Sequence, residues 1–178
     1  AGKGLATLGG LADPTNGLRL EFMGEPDFVE GVINGPIEAR RAVRQRFKEG
    51  ADVIKLNVTG GSINQGRGGL GSQWMQDELD AGVETAKEYQ MSVAAHAHTS
   101  VGIIRSAKAG VDSIEHGTYM NEEALKVMKK LNTAYVPTMS AMKWITDKAK
   151  EDGSLPEEVR AKSESMGSQI DITVRKAY

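Results

Sequence analysis

The sequence contains no cysteine, and this absence narrows the chemistry that the chain can carry. Disulfide bonds and thiolate metal sites are excluded, so a transition metal would have to be held by histidine, by carboxylate or by a less usual ligand. Aromatic residues are also scarce, at 5% of the chain, whereas glycine contributes 21 of its 178 residues. This composition predicts frequent tight turns around an aliphatic core, which is more typical of alternating strands and helices than of a β-sandwich.

Neither an excess of one charge nor a long apolar segment is present. The 22 basic and 24 acidic residues give a net charge of −2, so electrostatics give no basis for dedicated binding to nucleic acid or to an anionic membrane. No segment approaches the roughly 18 uninterrupted apolar residues of a membrane span. We therefore expect neither a nucleic-acid nor a membrane partner, and the lack of cysteine favours a cytoplasmic location without excluding export.

The chain alternates between short apolar segments and longer amphipathic ones. The apolar segments predict strands at Gly4–Gly10, Asp52–Val58, Ser92–His96, Asp112–His116 and Thr133–Pro137. The amphipathic segments predict helices at Ile37–Glu49, Gln76–Tyr89, Val101–Ala109, Glu122–Lys130 and Pro156–Tyr178. Strand–helix–strand units of this length pair their strands in parallel through right-handed crossovers.

The spacing of the predicted strands indicates a barrel. Their ends at His96, His116 and Pro137 follow one another after 20 and 21 residues, which suits a β/α barrel at least as well as an open doubly wound sheet. A complete barrel has eight strands, whereas about five are predicted here. We therefore expect residues 1–178 to form one α/β domain that is part of a larger barrel. Its exposed edge strands would favour self-association into a homo-oligomer.

All three histidines of the chain lie at or just past the carboxyl ends of predicted strands. They are His96, His98 and His116, and this edge is where α/β proteins place their active sites. A single histidine there is more often a hydrogen-bonded core or rim residue. Because all three occupy equivalent positions, we favour a shared metal or acid–base site, and neutral imidazole is a ligand that suits Zn²⁺.

Lys55 interrupts the apolar segment DVIKLNV, at a depth where lysine is rarely buried without a partner. It could reach outward from the strand end, or it could form a Schiff base after burial has lowered its pKa. It could also be carbamylated by CO₂, which converts the amine into an anionic oxygen ligand that bridges two metals. The histidines favour the last interpretation, because a Schiff-base enzyme does not need two imidazoles at strand ends.

Several segments in one order resemble the amidohydrolase superfamily. ADVIKLNVTGG at 51–61, the segment 93–120 with its HAH and IEHG motifs, and AYVPT at 134–138 are similar to strands four to seven of that superfamily. The similarity is greatest to its imidazolonepropionase-like branch, which includes metal-dependent Xaa-Pro dipeptidases and arginine carboxypeptidases. Residues 5–16 resemble the third-strand region. The resemblance implies a partial (β/α)₈ TIM-type barrel of strands three to seven, and a hydrolase of amide or peptide C–N bonds acting on a small-molecule or dipeptide-like substrate.

The resemblance also assigns roles to individual residues. Lys55 matches a strand-four lysine that is carboxylated and bridges two divalent metal ions, with zinc the expected metal. His96 and His116 match the metal ligands of strands five and six. His98, two residues beyond the predicted strand end, is assigned to substrate contact or to support of a ligand, although it and His96 could be exchanged. Tyr119 lies where the branch can hold a substrate carboxylate or the developing oxyanion, but it could equally be a rim tyrosine.

The sequence departs from the family pattern at several places. The strand-one HxH ligands and the strand-eight general-base aspartate have no counterpart, and Leu11 stands where we expect a histidine; Asp13 is predicted to be a turn residue. The segment Gly60–Gly71 is predicted to be a mobile loop over the site, in which Arg67 either pairs with a substrate carboxylate or is simply solvated. A Schiff-base lyase that uses Lys55 and a noncatalytic binding module stay open as alternatives.

Overall fold

The computed structural model describes residues 1–61, 70–151, 153 and 155–178. The strands in these ranges are β1 (Ala6–Thr7), β2 (Val32–Ile33), β3 (Val53–Asn57), β4 (Ser92–Thr99), β5 (Ser113–Tyr119) and β6 (Ala134–Val136). The helices are α1 (Leu20–Met23), α2 (Pro36–Lys48), α3 (Gln76–Glu88), α4 (Ser100–Ala109), α5 (Glu122–Leu131), α6 (Met139–Ala149) and α7 (Glu157–Ala177). None of the helices in the described part of the chain is long and apolar enough to cross a membrane.

All the strand pairs are parallel, as predicted. β3, β4, β5 and β6 form one sheet in that order, while β1 and β2 form a second pair. The two groups are joined at Leu5, whose N–H donates to the carbonyl of Lys55 at 2.7 Å and whose carbonyl accepts from the N–H of Asn57 at 2.8 Å. The α/β class is therefore confirmed, and the arrangement is consistent with part of a β/α barrel.

The main core lies between the sheet and the helices that follow its strands. Along β3, Ile54 and Leu56 are fully buried, whereas Lys55 between them is only partly buried on the opposite face. Trp74 is also fully buried, and its indole N–H donates to the carbonyl of Asn57 at 2.9 Å. This contact fixes the carboxyl end of β3, where the lysine is presented.

A second apolar cluster covers the carboxyl ends of the strands. It is built by Met142 and Ile145 of α6 with Met166 and Ile170 of α7. The helices α1 and α6 and the strand β2 were not predicted from the sequence. Strand β2 has only two residues, so it shows no alternation of apolar and polar positions. The strand predicted at Ser92–His96 is too short, because β4 continues through Thr99.

Candidate metal centre

β4 brings two histidines to one face of the sheet by ordinary alternation. Lys55 is in register with Ala94, and Asn57 is in register with His96. Because side chains two residues apart share a face, His96 and His98 project on the same side as Lys55. This face is opposite to the one that carries the buried Ile54 and Leu56 of β3, so it is the interior face of the partial barrel.

His116 reaches the same place by a different backbone path. It is in register with Ala97, which alternates away from the interior face, and the pairing of β4 with β5 shifts register between Ala97 and Thr99. His116 has a φ of 74°, and Gly117 after it has a φ of 57°. A left-handed conformation is uncommon for a residue other than glycine, and such strain is concentrated at functional sites.

The three imidazoles form one cluster. Ring centroids are separated by 4.6 Å for His96 and His98, 4.7 Å for His96 and His116, and 4.9 Å for His98 and His116. One ring nitrogen from each lies within 4.8 Å of the others. His96 and His98 are buried, at 8% and 1% exposure, and His116 is partly buried. Within the described residues this is the one group of three or more histidine and carboxylate side chains arranged to hold a metal ion.

The imidazoles of His96 and His98 each have a hydrogen-bond partner outside the cluster. Nε2 of His96 lies 3.4 Å from the carbonyl oxygen of Gly60, and Nδ1 of His98 lies 2.9 Å from Oγ1 of Thr118. A carbonyl can only accept, so the bond to Gly60 places the proton of His96 on Nε2 and leaves its Nδ1 lone pair available. Partners of this kind orient the imidazoles that bind metals in proteins.

Burial keeps all three imidazoles neutral at pH 7. It lowers the pKa of His96 to about 3, with a further contribution from the charge of His116. It lowers the pKa of His98 to about 2 and that of His116 to about 4, the latter also through the charge of Lys55. Only neutral imidazole offers a lone pair, so the chemistry of this donor set fits a divalent transition metal.

Lys55 belongs to the same electrostatic environment. Burial lowers the pKa of its ammonium, and the carboxylate of Glu115 partly opposes this shift. The charge of Lys55 in turn helps to lower the pKa values of His96 and His116. Among the described residues, Lys55 has no ion pair or side-chain hydrogen bond. Its amine is therefore a partly desolvated group on the face that carries the histidines.

A cavity of about 270 Å³ opens beside the imidazoles. The three histidines line it, together with Leu11, Gly61, Ala141, Met142 and Ile145. Leu11 is held by a compact turn in which Asp13 accepts from the N–H of Gly9 at 2.8 Å and from the N–H of Thr15 at 2.9 Å. The prediction that Asp13 is a turn residue is confirmed.

Of the two remaining predicted site residues, only Tyr119 is among the described ones, and it lies away from the histidine cavity. The hydroxyl of Tyr119 is 3.3 Å from Oγ of Ser165 on α7, and its ring packs against the second apolar cluster, so it does not line the histidine cavity. Arg67 lies outside the described residues, as does most of its loop. The roles predicted for Tyr119 and Arg67 therefore stay predictions.

Sequence reasoning missed the groups that orient the histidines and cover them. Thr118 and the α6 side chains were not singled out, because no periodicity or motif marks them. The one available signal was position, since Thr118 lies two residues after His116 and α6 follows the predicted end of β6.

The fold and the cluster define an α/β protein whose candidate site lies at the carboxyl ends of parallel strands. The family model of the amidohydrolase family matches residues 10–172. The chain therefore belongs to the amidohydrolase family, as its resemblance implied.

Several known proteins are similar to the chain. A crystal structure of a Xaa-Pro dipeptidase with methionine bound in its active site is 52% identical, with a TM-score of 0.95 over the whole chain and 44% of that protein. A prolidase complexed with N-methylphosphonate-L-proline is 29% identical over 99% of the chain and 44% of its own, with a TM-score of 0.85. The ochratoxinase of Aspergillus niger is 37% identical over 111 residues, which are 62% of this chain and 23% of that enzyme. The chain thus spans less than half the length of each of these relatives.

Proposed function

We propose that the protein carrying this chain is a metal-dependent hydrolase of amide or peptide C–N bonds. In this proposal carboxylated Lys55 bridges a binuclear site, and His96 and His116 are direct ligands. The observation that carries the proposal is the convergence of three neutral, largely buried imidazoles at the carboxyl ends of β4 and β5. Membership of the amidohydrolase family supports the same chemistry.

Lys55 is suited to carboxylation because burial lowers its pKa. A neutral amine adds CO₂ and releases a proton, and the carbamate that forms presents two oxygen donors. Two divalent ions bound by this carbamate and the histidines, with zinc the expected metal, would activate a water and polarise the scissile carbonyl. The strand-one ligands and the general-base aspartate of the family would be supplied by parts of the protein outside these 178 residues.

The other residues of the chain would bind and orient the substrate. His98 lies within the cluster and is held by Thr118, so it would contact the substrate or support its neighbour His96. Tyr119 and Arg67 are proposed to hold the substrate carboxylate at the rim. Tyr119 would have to leave Ser165 to do so, or to meet the developing oxyanion.

The cavity supports a substrate with an apolar group beside the scissile bond. Leu11, Ala141, Met142 and Ile145 contribute apolar side chains to the wall of the cavity that the histidines also line. The similar Xaa-Pro dipeptidase holds methionine, and the similar prolidase holds an analogue that contains proline. A dipeptide-like substrate with an apolar side chain against this wall fits both observations.

Metal analysis combined with NMR tests the proposal. We expect the purified protein to contain stoichiometric divalent metal and to show a carbamate carbon signal after growth or incubation with ¹³C-bicarbonate. Lys55→Ala should abolish the signal, while the control Lys108→Ala, at an exposed position on α4, should retain it. Absence of metal would favour a binding module. Trapping of a carbonyl compound on Lys55 by borohydride would favour a Schiff-base lyase, and either result would contradict the proposal.

A further inference from the structure

Two strained residues face each other across β5 and β6. His116 has a φ of 74°, and Thr138, two residues after β6, has a φ of 52°. For a β-branched residue such as threonine, a positive φ is a genuine outlier. Strain of this kind persists only where the surrounding structure imposes it, so contacts around both residues must hold them in these conformations.

The two side chains are joined by a hydrogen bond whose direction can be determined. Nδ1 of His116 lies 2.6 Å from Oγ1 of Thr138, and the same hydroxyl donates to the carbonyl of Pro137 at 2.7 Å. A hydroxyl has one proton, so Thr138 can only accept from the imidazole. His116 therefore carries its proton on Nδ1, and its Nε2 keeps a lone pair.

A second contact from the same segment holds the backbone of His116. The hydroxyl of Tyr135 in β6 donates to the carbonyl of His116 at 3.0 Å. Its ring also lies against Gly117, where an added Cβ would be 2.6 Å from Cε2 of the tyrosine.

We propose that Tyr135 and Thr138 are positioning residues for His116. Tyr135 holds its left-handed backbone, and Thr138 holds the tautomer in which Nε2 is available to a metal. Thr138 also directly precedes α6, whose residues line the histidine cavity. The same residue therefore sets both where α6 begins and how the His116 imidazole is oriented. The part of the inference that concerns metal affinity rests on the proposed function, whereas the tautomer can be measured without metal.

The first test measures the tautomer of His116 by ¹⁵N NMR in the metal-free protein at neutral pH. The signals are assigned by their loss in His116→Gln. We expect unmodified protein and Thr138→Ser, which keeps the hydroxyl, to show protonated Nδ1 and unprotonated Nε2. Thr138→Val, which keeps the branched shape, should show a mixture of tautomers or protonated Nε2.

A matched control lies at the other end of β6. Thr133 has a buried hydroxyl with no hydrogen-bond partner in the described part of the chain, so Thr133→Val removes a hydroxyl without removing a bond. It should leave the His116 signals unchanged. If Thr138→Val does not fold, Thr138→Gly removes the same hydroxyl and tolerates a φ of 52°.

The second test measures zinc affinity by competition with a chelator. Loss of a residue that orients a metal ligand typically costs roughly 10–100-fold in affinity, and we expect this loss for Thr138→Val. Tyr135→Phe should keep the Nδ1–H tautomer but also weaken zinc binding, because it releases the backbone of His116. Thr138→Ser and Thr133→Val should bind zinc as the unmodified protein does.

An unchanged His116 tautomer in folded Thr138→Val or Thr138→Gly would overturn the inference. If the unmodified protein binds no zinc, the proposed function fails, and the tautomer measurement alone then decides whether Thr138 positions His116. If zinc binds but Thr138→Val and Tyr135→Phe both bind it as tightly as the unmodified protein, the positioning roles are wrong and the proposed function stands.

Discussion

The neighbouring strands β4 and β5 bring histidines to one site by different means. His96 and His98 on β4 follow the regular alternation of a strand and share the face that carries Lys55. His116 on β5 depends on a left-handed backbone, a shift of register and contacts from β6. The β4 histidines are thus placed by local geometry, and the β5 histidine is placed by its tertiary surroundings.

This difference has a consequence for the stability of the site. A residue placed by strand alternation stays in position as long as the strand pairs with its neighbours. A residue in a strained conformation keeps it only while the surrounding contacts impose it. We therefore expect the site to tolerate changes around β4 better than changes around the end of β5, provided that the ligands themselves are kept.

The largest effect should come from removing a ligand on β4. His96→Ala should lose its metal and nearly all turnover, because the Nδ1 lone pair of His96 is lost from the cluster. His98→Ala should keep most of its metal, with an affinity or activity reduced roughly 10–100-fold. Elemental analysis and steady-state kinetics of both variants make the comparison.

The reverse result for this pair would show that ligand and helper are exchanged. Metal lost from the His98 variant and retained in the His96 variant would give that outcome. Equal metal content in both variants and in the unmodified protein would remove both histidines from the metal site.

The next largest effect should be seen in the pH dependence of stability, where the histidines of β4 and β5 should take up protons at different pH values. Unfolded histidine takes up a proton near pH 6.5, whereas folded His116 does so at about 4, His96 at about 3 and His98 at about 2. The unfolded state therefore binds more protons between these values, and stability is lost as the pH falls below 6.5. The slope is about 1.4 kcal/mol per pH unit for each histidine that stays neutral in the fold.

Denaturant unfolding of the metal-free protein between pH 7 and pH 4 measures this slope. Histidine NMR over the same range should show His116 on β5 charging before the histidines of β4. His98→Asn removes one of the three histidines, so the dependence of unfolding free energy on pH should become less steep by about 1.4 kcal/mol per pH unit. A stability that does not change over this range would mean that the histidines are exposed in solution.

A substitution at Gly117 tests the restraint at the end of β5. Gly117→Ala places a Cβ 2.6 Å from the ring of Tyr135, whereas Gly9→Ala, at another glycine with a positive φ (70°), meets nothing within 4 Å. Gly117→Ala should therefore lose about 1–3 kcal/mol more stability than Gly9→Ala, through overpacking against the tyrosine. Urea unfolding of both variants measures the difference, and equal losses would mean that the Tyr135 ring does not restrain the backbone at Gly117.

The smallest effect should come from the wall of the cavity. Leu11→Asn keeps a similar size but adds a polar group to the wall of the histidine cavity, so it should weaken binding of ligands with an apolar side chain roughly 10-fold. Zinc content should not fall, because Leu11 offers no ligand atom that the substitution could remove. Calorimetric titration with dipeptides that carry apolar or charged side chains compares the two proteins. Unchanged selectivity would place the substrate away from this wall.

The arrangement of the site residues on β4 could be predicted from the sequence, whereas the contacts that support His116 on β5 could not. The two-residue spacing of His96 and His98 and the single lysine in the segment DVIKLNV predict one shared face, because alternation is a local property of a strand. The parallel α/β fold also follows from local patterns that recur along the chain. These predictions needed no knowledge of distant contacts.

The support of His116 could not be predicted in this way. A left-handed φ at a histidine or a threonine leaves no mark in periodicity, and the hydroxyls of Tyr135 and Thr138 acquire their roles only when β6 pairs with β5. Helix α6 was also missed, although it begins after Thr138, a residue type that often caps helices; the left-handed Thr138 makes no capping hydrogen bond with its side chain.

Anomalous X-ray diffraction at the zinc edge, from crystals grown with zinc and bicarbonate, tests the central claim most directly. The account predicts metal bound by Nδ1 of His96 and Nε2 of His116, with a carbamate on Lys55 bridging it to a second ion. Metal bound away from these side chains, or an unmodified Lys55 directed into solvent while the histidines stay empty, would contradict it.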